Sequence, residues 1–187
     1  MWKGHITMLT LQGTIKIKTE RLFLRRRTID DAPQEFKNYQ SDDEVTKHLT
    51  WQAYKNPKDA ENYLKTQVLA NYENKNFCNW AISYNEEVIG AIDARIDEDK
   101  LSAMIGYCLG KAWWGQGIMP EALNAVINYL FSCGIVRVWA YHHVENPNSG
   151  RVMEKCGMEY EGTLRKYAKD NQGRLRDVKV YSIINEN

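Results

Sequence analysis

Two spacings of apolar residues divide the chain. Three short runs crowded with apolar and aromatic residues, Phe77 to Tyr84, Val88 to Ile96 and Leu101 to Leu109, are separated by the polar stretches Asn85-Glu86-Glu87 and Asp97-Glu98-Asp99-Lys100. That layout predicts an antiparallel meander of three strands. Upstream, Ile15 and Ile17, then Leu22 and Leu24, alternate with polar residues between Thr14 and Arg25, which predicts a half-buried strand. Helical spacing takes over after Asn56-Pro57, where Ala60, Tyr63, Leu64, Val68 and Leu69 recur, and again at Ala122, Leu123, Val126, Ile127, Leu130 and Phe131 before the stop at Cys133-Gly134. Thr28 to Ala32 opens a helix ahead of Phe36 and Tyr39, and a short helical turn is expected from Glu44 to Leu49.

Ile135 to Tyr141 is a short β-branched and aromatic run. It should be a buried strand parallel to the one ending at Leu109, because a helix lies between them. Ser149 to Lys155 reads as a short helix closed by Gly157, and Tyr160 to Tyr167 with Asp177 to Ile184 as a closing hairpin turning at Asp170-Asn171-Gln172-Gly173.

Composition narrows the class. With 187 residues, 43% apolar and 26% charged, the chain can bury one substantial core and not two. Residues 1–187 are therefore expected to form one domain, with 1–13 as a flexible N-terminal extension. The net charge of +1 carries no nucleic-acid or membrane signature. Arg21, Arg25, Arg26 and Arg27 read as a solvated strand edge, with contact to an acidic or RNA-bearing partner as the alternative. Cys78, Cys108, Cys133 and Cys156 lack metal-ligand spacing and sit among apolar neighbours, so buried reduced thiols, no metal and a cytoplasmic location are expected. Met1 to Leu11 holds no signal-peptide core, and no apolar run approaches a membrane span.

The candidate chemistry lies between Met104 and Leu123, where a strand enters a turn with glycines one residue apart, Trp113-Trp114-Gly115-Gln116-Gly117, and then a helix with Pro120 and Glu121 near its start. Glycines let the backbone come close to a ligand, and the N–H groups that open a helix point toward negative charge, so a phosphate-bearing occupant is expected. A glycine pair alone also reads as an ordinary helix entry. A second stretch, Asn146 to Met158, again follows a strand and opens a helix.

In this order, with a strand between them, the two stretches resemble the acetyl-coenzyme A core of the GNAT N-acetyltransferases. They look most like the branch that holds the ribosomal-protein N-terminal acetyltransferases, of which Trp113-Trp114-Gly115 is typical. The resemblance runs from about Glu20 to the C-terminus and is strongest from Ile105 to Arg165. It implies an α/β fold: a mixed, mostly antiparallel sheet of six to seven strands, a splayed parallel pair at its centre and helices on both faces. It also implies acetyl-coenzyme A as cosubstrate. The pyrophosphate would sit on the N–H groups of Trp114, Gly115, Gln116, Gly117, Ile118 and Met119. The pantetheine arm would lie along backbone left unpaired at Tyr107, Cys108 and Leu109, as an added strand would. Ala112 stands where the family commonly has arginine or glutamine, with the Gln116 side chain remaining as a donor. Asn146 lies near the arm on this reading, or serves as a plain turn residue.

Acetyl transfer to an amine needs a neutral nucleophile, a donor for the oxyanion and a proton for the departing thiolate. Many relatives place a tyrosine acid where Met153 stands and a glutamate base where Met104 stands, and methionine can fill neither role. The branch instead implies a serine at Ser149 that hydrogen-bonds the thiolate; capping the following helix is the alternative and is compatible with it. A backbone N–H near Leu109 is the implied oxyanion donor. For the base, His142 and His143, placed just past the parallel strand, and Asp93 on the meander are candidates. Either histidine alone also reads as a hydrogen-bonded loop residue, and an α-amino group, with a reference pKa near ~8, needs little help.

The resulting expectation is direct attack in a ternary complex by an amine, with the N-terminal α-amino group of a ribosomal or other protein as acceptor. A small amine such as an aminoglycoside, polyamine or amino acid analogue is the first alternative. A non-catalytic acyl-coenzyme A sensor, favoured by Met104 and Met153, is the second. Trp51, His48 and Tyr54 either pack or line an acceptor groove. No nucleic acid or membrane partner is expected, and the chain reads as a monomer or homodimer.

Overall fold

The computed structural model describes residues 9–186. Its strands are β1 (Ile17–Lys18), β2 (Leu22–Arg26), β3 (Phe77–Tyr84), β4 (Glu87–Asp97), β5 (Ser102–Leu109), β6 (Arg137–His143), β7 (Glu159–Lys169) and β8 (Leu175–Ile184). They form one sheet in the order β1-β2-β3-β4-β5-β6-β8-β7. Neighbours are antiparallel except β5 and β6, which are parallel because α4 (Ile118–Ser132) crosses between them.

The sheet has eight strands where six to seven were expected, and the difference arises at the start. The single strand predicted from Thr14 to Arg25 is two, broken at Thr19-Glu20-Arg21. Its apolar positions change parity there, Ile15 and Ile17 being odd and Leu22 and Leu24 even, so one unbroken strand would put the two pairs on opposite faces. The break is closed by Thr19 N–H donating to the Leu22 carbonyl at 3.0 Å and Leu22 N–H donating to Thr19 Oγ1 at 2.9 Å.

Helices cover both faces. On one lie α4 and α5 (Pro147–Lys155), and α4 buries Ile118, Ala122, Leu123, Val126 and Leu130 against Leu24, Trp80, Ile92 and Val138 of the sheet. Each of the larger side chains, Ile118, Leu123, Val126 and Leu130, contributes roughly 1.5–3 kcal/mol by burial, which fixes the helix face to the sheet. The other face carries α1 (Ala32–Glu35), α2 (Asp43–Thr46) and α3 (Pro57–Tyr63), with α1 and α3 running on into wider turns at Phe36–Gln40 and Leu64–Val68. Tyr39 and Val45 pack there on Ala81 and Val88.

Of the extension expected at 1–13, residues 1–8 lie outside the described residues. The remainder is packed, with Thr10 N–H donating to the Cys133 carbonyl at 2.9 Å and Leu11 buried. The four cysteines are free thiols. Among the described residues no helix is long and apolar enough to cross a membrane.

Candidate active site

The parallel pair is a fork. β5 and β6 are in register only at Ser102 with Arg137, Ala103 with Val138 and Met104 with Trp139. Beyond these, β5 runs to Leu109 paired with β4 alone, and β6 runs to His143 paired with β8 alone. Alternation along β5 decides what faces the gap. Leu101 accepts from Val136 on the β6 side, whereas Gly110 N–H donates to Ile89 on the β4 side. Odd residues therefore turn their backbone groups toward the fork and even ones toward β4. Tyr107 and Leu109 present N–H and C=O to the gap as expected. Cys108 does not: its backbone belongs to the β4 ladder. The Leu109 carbonyl is also taken, by the Trp114 indole N–H at 2.7 Å, so Leu109 offers its N–H.

At the open end of the fork the chain makes a short turn at Lys111–Trp113 and enters α4. Gly115 and Gly117 both have φ +75°, a left-handed conformation that glycine adopts freely. Trp114 N–H donates back to Lys111, so the cradle starts one residue later than predicted, at Gly115. Helical bonding begins with Glu121 N–H to the Gly117 carbonyl. Among the described residues, the N–H groups of Gly115, Gln116, Gly117, Ile118 and Met119 meet no protein acceptor. A Cβ on Gly115 would meet nothing within 4 Å, so the cradle is open. These donors fit a diphosphate. The Gln116 side chain, expected to add a donor, instead folds back onto the Ala112 carbonyl at 2.9 Å. Arg21, not marked out for this role in the sequence, braces the turn: its guanidinium donates to the Gln116 carbonyl at 3.0 Å and to Glu121 at 2.7 Å.

Ser149 sits across the gap from Tyr107. It is the third residue of α5, whose cap position is Asn146, so it does not cap the helix; its hydroxyl lies 2.9 Å from the Tyr107 phenol. Burial pushes the phenol well above its ordinary value and keeps it a proton donor. Asn146 is half-buried at the same helix entry and makes no side-chain cap bond. Met153 lies in the core at 1% exposure, and its thioether has no proton to give.

The histidine pair is divided. β6 extends two residues further than predicted, so His142 and His143 are strand residues with opposite facings. His142 is sealed beneath α5: a Cβ on Gly150 would lie 2.6 Å from its Nε2. Its Nδ1 donates to the His143 carbonyl at 2.8 Å, and burial lowers its pKa. His143 faces the α1 to α3 side, edge-on to His48 at 6.1 Å, and its pKa is also lowered by burial.

On that same face, even positions of β5 and odd positions of β4 and β6 line the sheet surface over the section where β5 and β6 are still paired, next to the point where they part. A cavity of about 420 Å³ there is lined by Arg95, Asp97, Ser102, Met104, Arg137 and Trp139. Also on the α1 to α3 side, Trp51, Tyr54 and Tyr63 form a row of tilted rings with centroids 5.4 and 6.5 Å apart. The arginine cluster is a solvated edge only in part: Arg21 and Arg26 are exposed, whereas Arg25 and Arg27 are paired and turned inward. Arg27 is 3% exposed, paired with Glu35, and bonded to Asn79 and Tyr39 at 3.3 Å, while Arg25 chelates Asp31. The acidic partners lie within the next helices, a pairing no local spacing announced.

Comparison with known proteins agrees with this geometry. The uncharacterized N-acetyltransferase YoaA of Bacillus subtilis (strain 168) is 33% identical over 172 residues, 90% of this chain and 96% of that protein. The ribosomal-protein-serine acetyltransferase of Escherichia coli (strain K12) is 36% identical over 101 residues, 53% of this chain and 56% of that protein. The crystal structure of the Microcin C7 self immunity acetyltransferase MccE in complex with acetyl-CoA and AMP matches with a TM-score of 0.82 at 27% identity, covering 95% of this chain and 98% of that one. The acetyltransferase (GNAT) domain model matches residues 21–159, and with the forked sheet and its open amide cradle this makes the chain a member of the GNAT family, an N-acetyltransferase that uses acetyl-coenzyme A.

Proposed function

We propose that the chain acts as one domain that acetylates the α-amino group of a protein N-terminus, of the ribosomal-protein type, by direct attack within a ternary complex. The fork carries this reading, because β5 and β6 part after Met104 and Trp139 and leave backbone groups of Tyr107 and Leu109 to a ligand between them. The cradle and Ser149 lie on the α4 and α5 side, and the cavity at Arg95 and Trp139 lies on the opposite face next to where the strands part, where an acceptor would have a path separate from the coenzyme's. Acetyl-coenzyme A supplies a thioester whose carbonyl carbon is the electrophile. On the protein's side, the Leu109 N–H is the oxyanion donor, Gly115 to Met119 hold the diphosphate, and Asn146 borders the pantetheine arm. Ser149, held by Tyr107, hydrogen-bonds the thiolate.

A covalent acyl-enzyme is disfavoured by the thiol nearest the acceptor side. Burial pushes Cys108 up to about 12, and a thiol that stays protonated at neutral pH is a poor nucleophile. The ribosomal acceptor rests on the partial match to the serine acetyltransferase. A small-molecule amine is the second reading, favoured by the likeness to a structure that holds AMP and by a cavity whose volume of about 420 Å³ suits a small ligand. Steady-state thiol release with peptides bearing ribosomal-protein N-termini, set against a panel of small amines, tests it. Peptides are expected to give the higher kcat/KM; turnover confined to small amines would overturn the N-terminal reading, and tight coenzyme binding without turnover on any amine would overturn the enzyme.

A further inference from the structure

The α1 to α3 face of the fork holds a carboxylate for which the fold has made room. Asp93 on β4 is paired with Gly106 on β5, two residues past Met104, where the parallel pairing ends. A Cβ on Gly106 would lie 2.9 Å from Asp93 Oδ1 and 3.5 Å from both Cγ and Oδ2, so only glycine leaves the carboxylate its place over the start of the gap. Asp93 is also poorly satisfied. Among the described residues it receives no hydrogen bond, and its ion pair with Arg95 is long, 3.8 Å, with the arginine 73% exposed. A half-buried carboxylate left that way is held ready for a cation that arrives from outside.

We propose that Asp93 takes the proton from the acceptor's ammonium group where the fork begins to part, a catalytic role that rests on the acetyltransferase reading above. One ammonium N–H bond breaks, its proton passing to the carboxylate and its electron pair staying on nitrogen. That pair forms the bond to the acyl carbon, the carbon–sulfur bond breaks with its electrons on sulfur, and the second proton shed by the new amide balances the one sulfur gains through Ser149.

The surroundings suit the task. Burial raises the Asp93 carboxyl to about 6, opposed in part by Arg95 and Arg27. The other ionisable groups that act on it or feel it are Tyr63 from α3, raised by burial, and Cys108 from β5, raised to about 12, so neither titrates alongside it. A carboxylate of this kind is charged at neutral pH and basic enough to accept a proton.

The test is the pH dependence of kcat/KM for an amine that the wild-type chain acetylates. Wild type should lose activity on the acid side near pH 6, the value of Asp93. Asp93→Asn should fall by about 10²-fold at neutral pH and move its acid limb to about pH 8, where the amine deprotonates unaided, with coenzyme affinity unchanged. Gly106→Ala, which presses on the carboxylate, should lower the same constant. An Asp93→Asn chain with the wild-type rate and limb would overturn the assignment, as would loss of folding in Asp93→Asn joined to full activity in Gly106→Ala. Failure of the wild type to acetylate any amine would instead overturn the proposed function, and this inference with it.

Discussion

The Tyr107 phenol lies 2.9 Å from Ser149 Oγ and 3.0 Å from the Ser149 carbonyl oxygen, so one side chain on β5 holds one residue of α5 by two atoms. The phenol has a single proton and the carbonyl can only accept. With that proton on the carbonyl, the phenol oxygen is free to accept from the Ser149 hydroxyl, and the serine is oriented from the β5 arm of the fork.

Ser149→Ala should therefore reduce kcat by about 10²-fold while changing coenzyme affinity less than about threefold. Tyr107→Phe keeps the serine and removes only its support, and should cost about tenfold. Single-turnover rates beside equilibrium coenzyme binding separate the two effects. An undiminished rate in Ser149→Ala would take the serine out of the mechanism.

Gly117 has φ +75° and caps α4 in the left-handed region. An alanine there is strained by about 1–2 kcal/mol, and relaxation would turn the Ile118 and Met119 amides away from a diphosphate. Gly117→Ala is expected to weaken coenzyme binding at least about tenfold, read by calorimetry, with a smaller effect on the acceptor KM.

Arg27 and Glu35 form a buried pair at 3% and 0% side-chain exposure, and Gln40 adds a hydrogen bond to Glu35 at 3.0 Å. Removing one partner leaves the other charged and dry. Glu35→Ala should destabilise the fold by about 3–5 kcal/mol, whereas replacing both residues with apolar ones of similar volume should cost much less. Urea unfolding of the single and double variants checks this; equal losses would contradict it.

The sign of the Asp93 effect on stability follows from its raised carboxyl, about 6 in the fold against an ordinary 3.8. Between those values the folded chain holds a proton the unfolded chain has lost, so stability falls as pH rises through that window and the penalty is complete above it. Asp93→Asn should therefore melt higher than wild type at about pH 8 and equally at about pH 3.5. A gain that persists at low pH would point to a cause other than ionisation.

Much of this protein was legible in the order of its residues. The limits of β3 fall at Phe77 and Tyr84 as the apolar and aromatic run predicts, and the stripe from Ala122 to Phe131 lies on the helix that crosses the sheet. Gly115 and Gly117 reveal the cradle because a backbone that must turn left-handed beside a ligand selects glycine. Periodicity and turn chemistry are local, and they survive reading one residue at a time. Contacts between distant segments do not. That β5 and β6 part after Met104 and Trp139, that Tyr107 holds Ser149, that Arg27 meets Glu35 in the dark, and that Gly106 clears space for Asp93 depend on which strands become neighbours and in what register. The chain order supplied the pieces of an acyl-transfer site; pairing across the sheet chose which of its candidate acids and bases face the fork and which, like His142 under Gly150, are shut away from it.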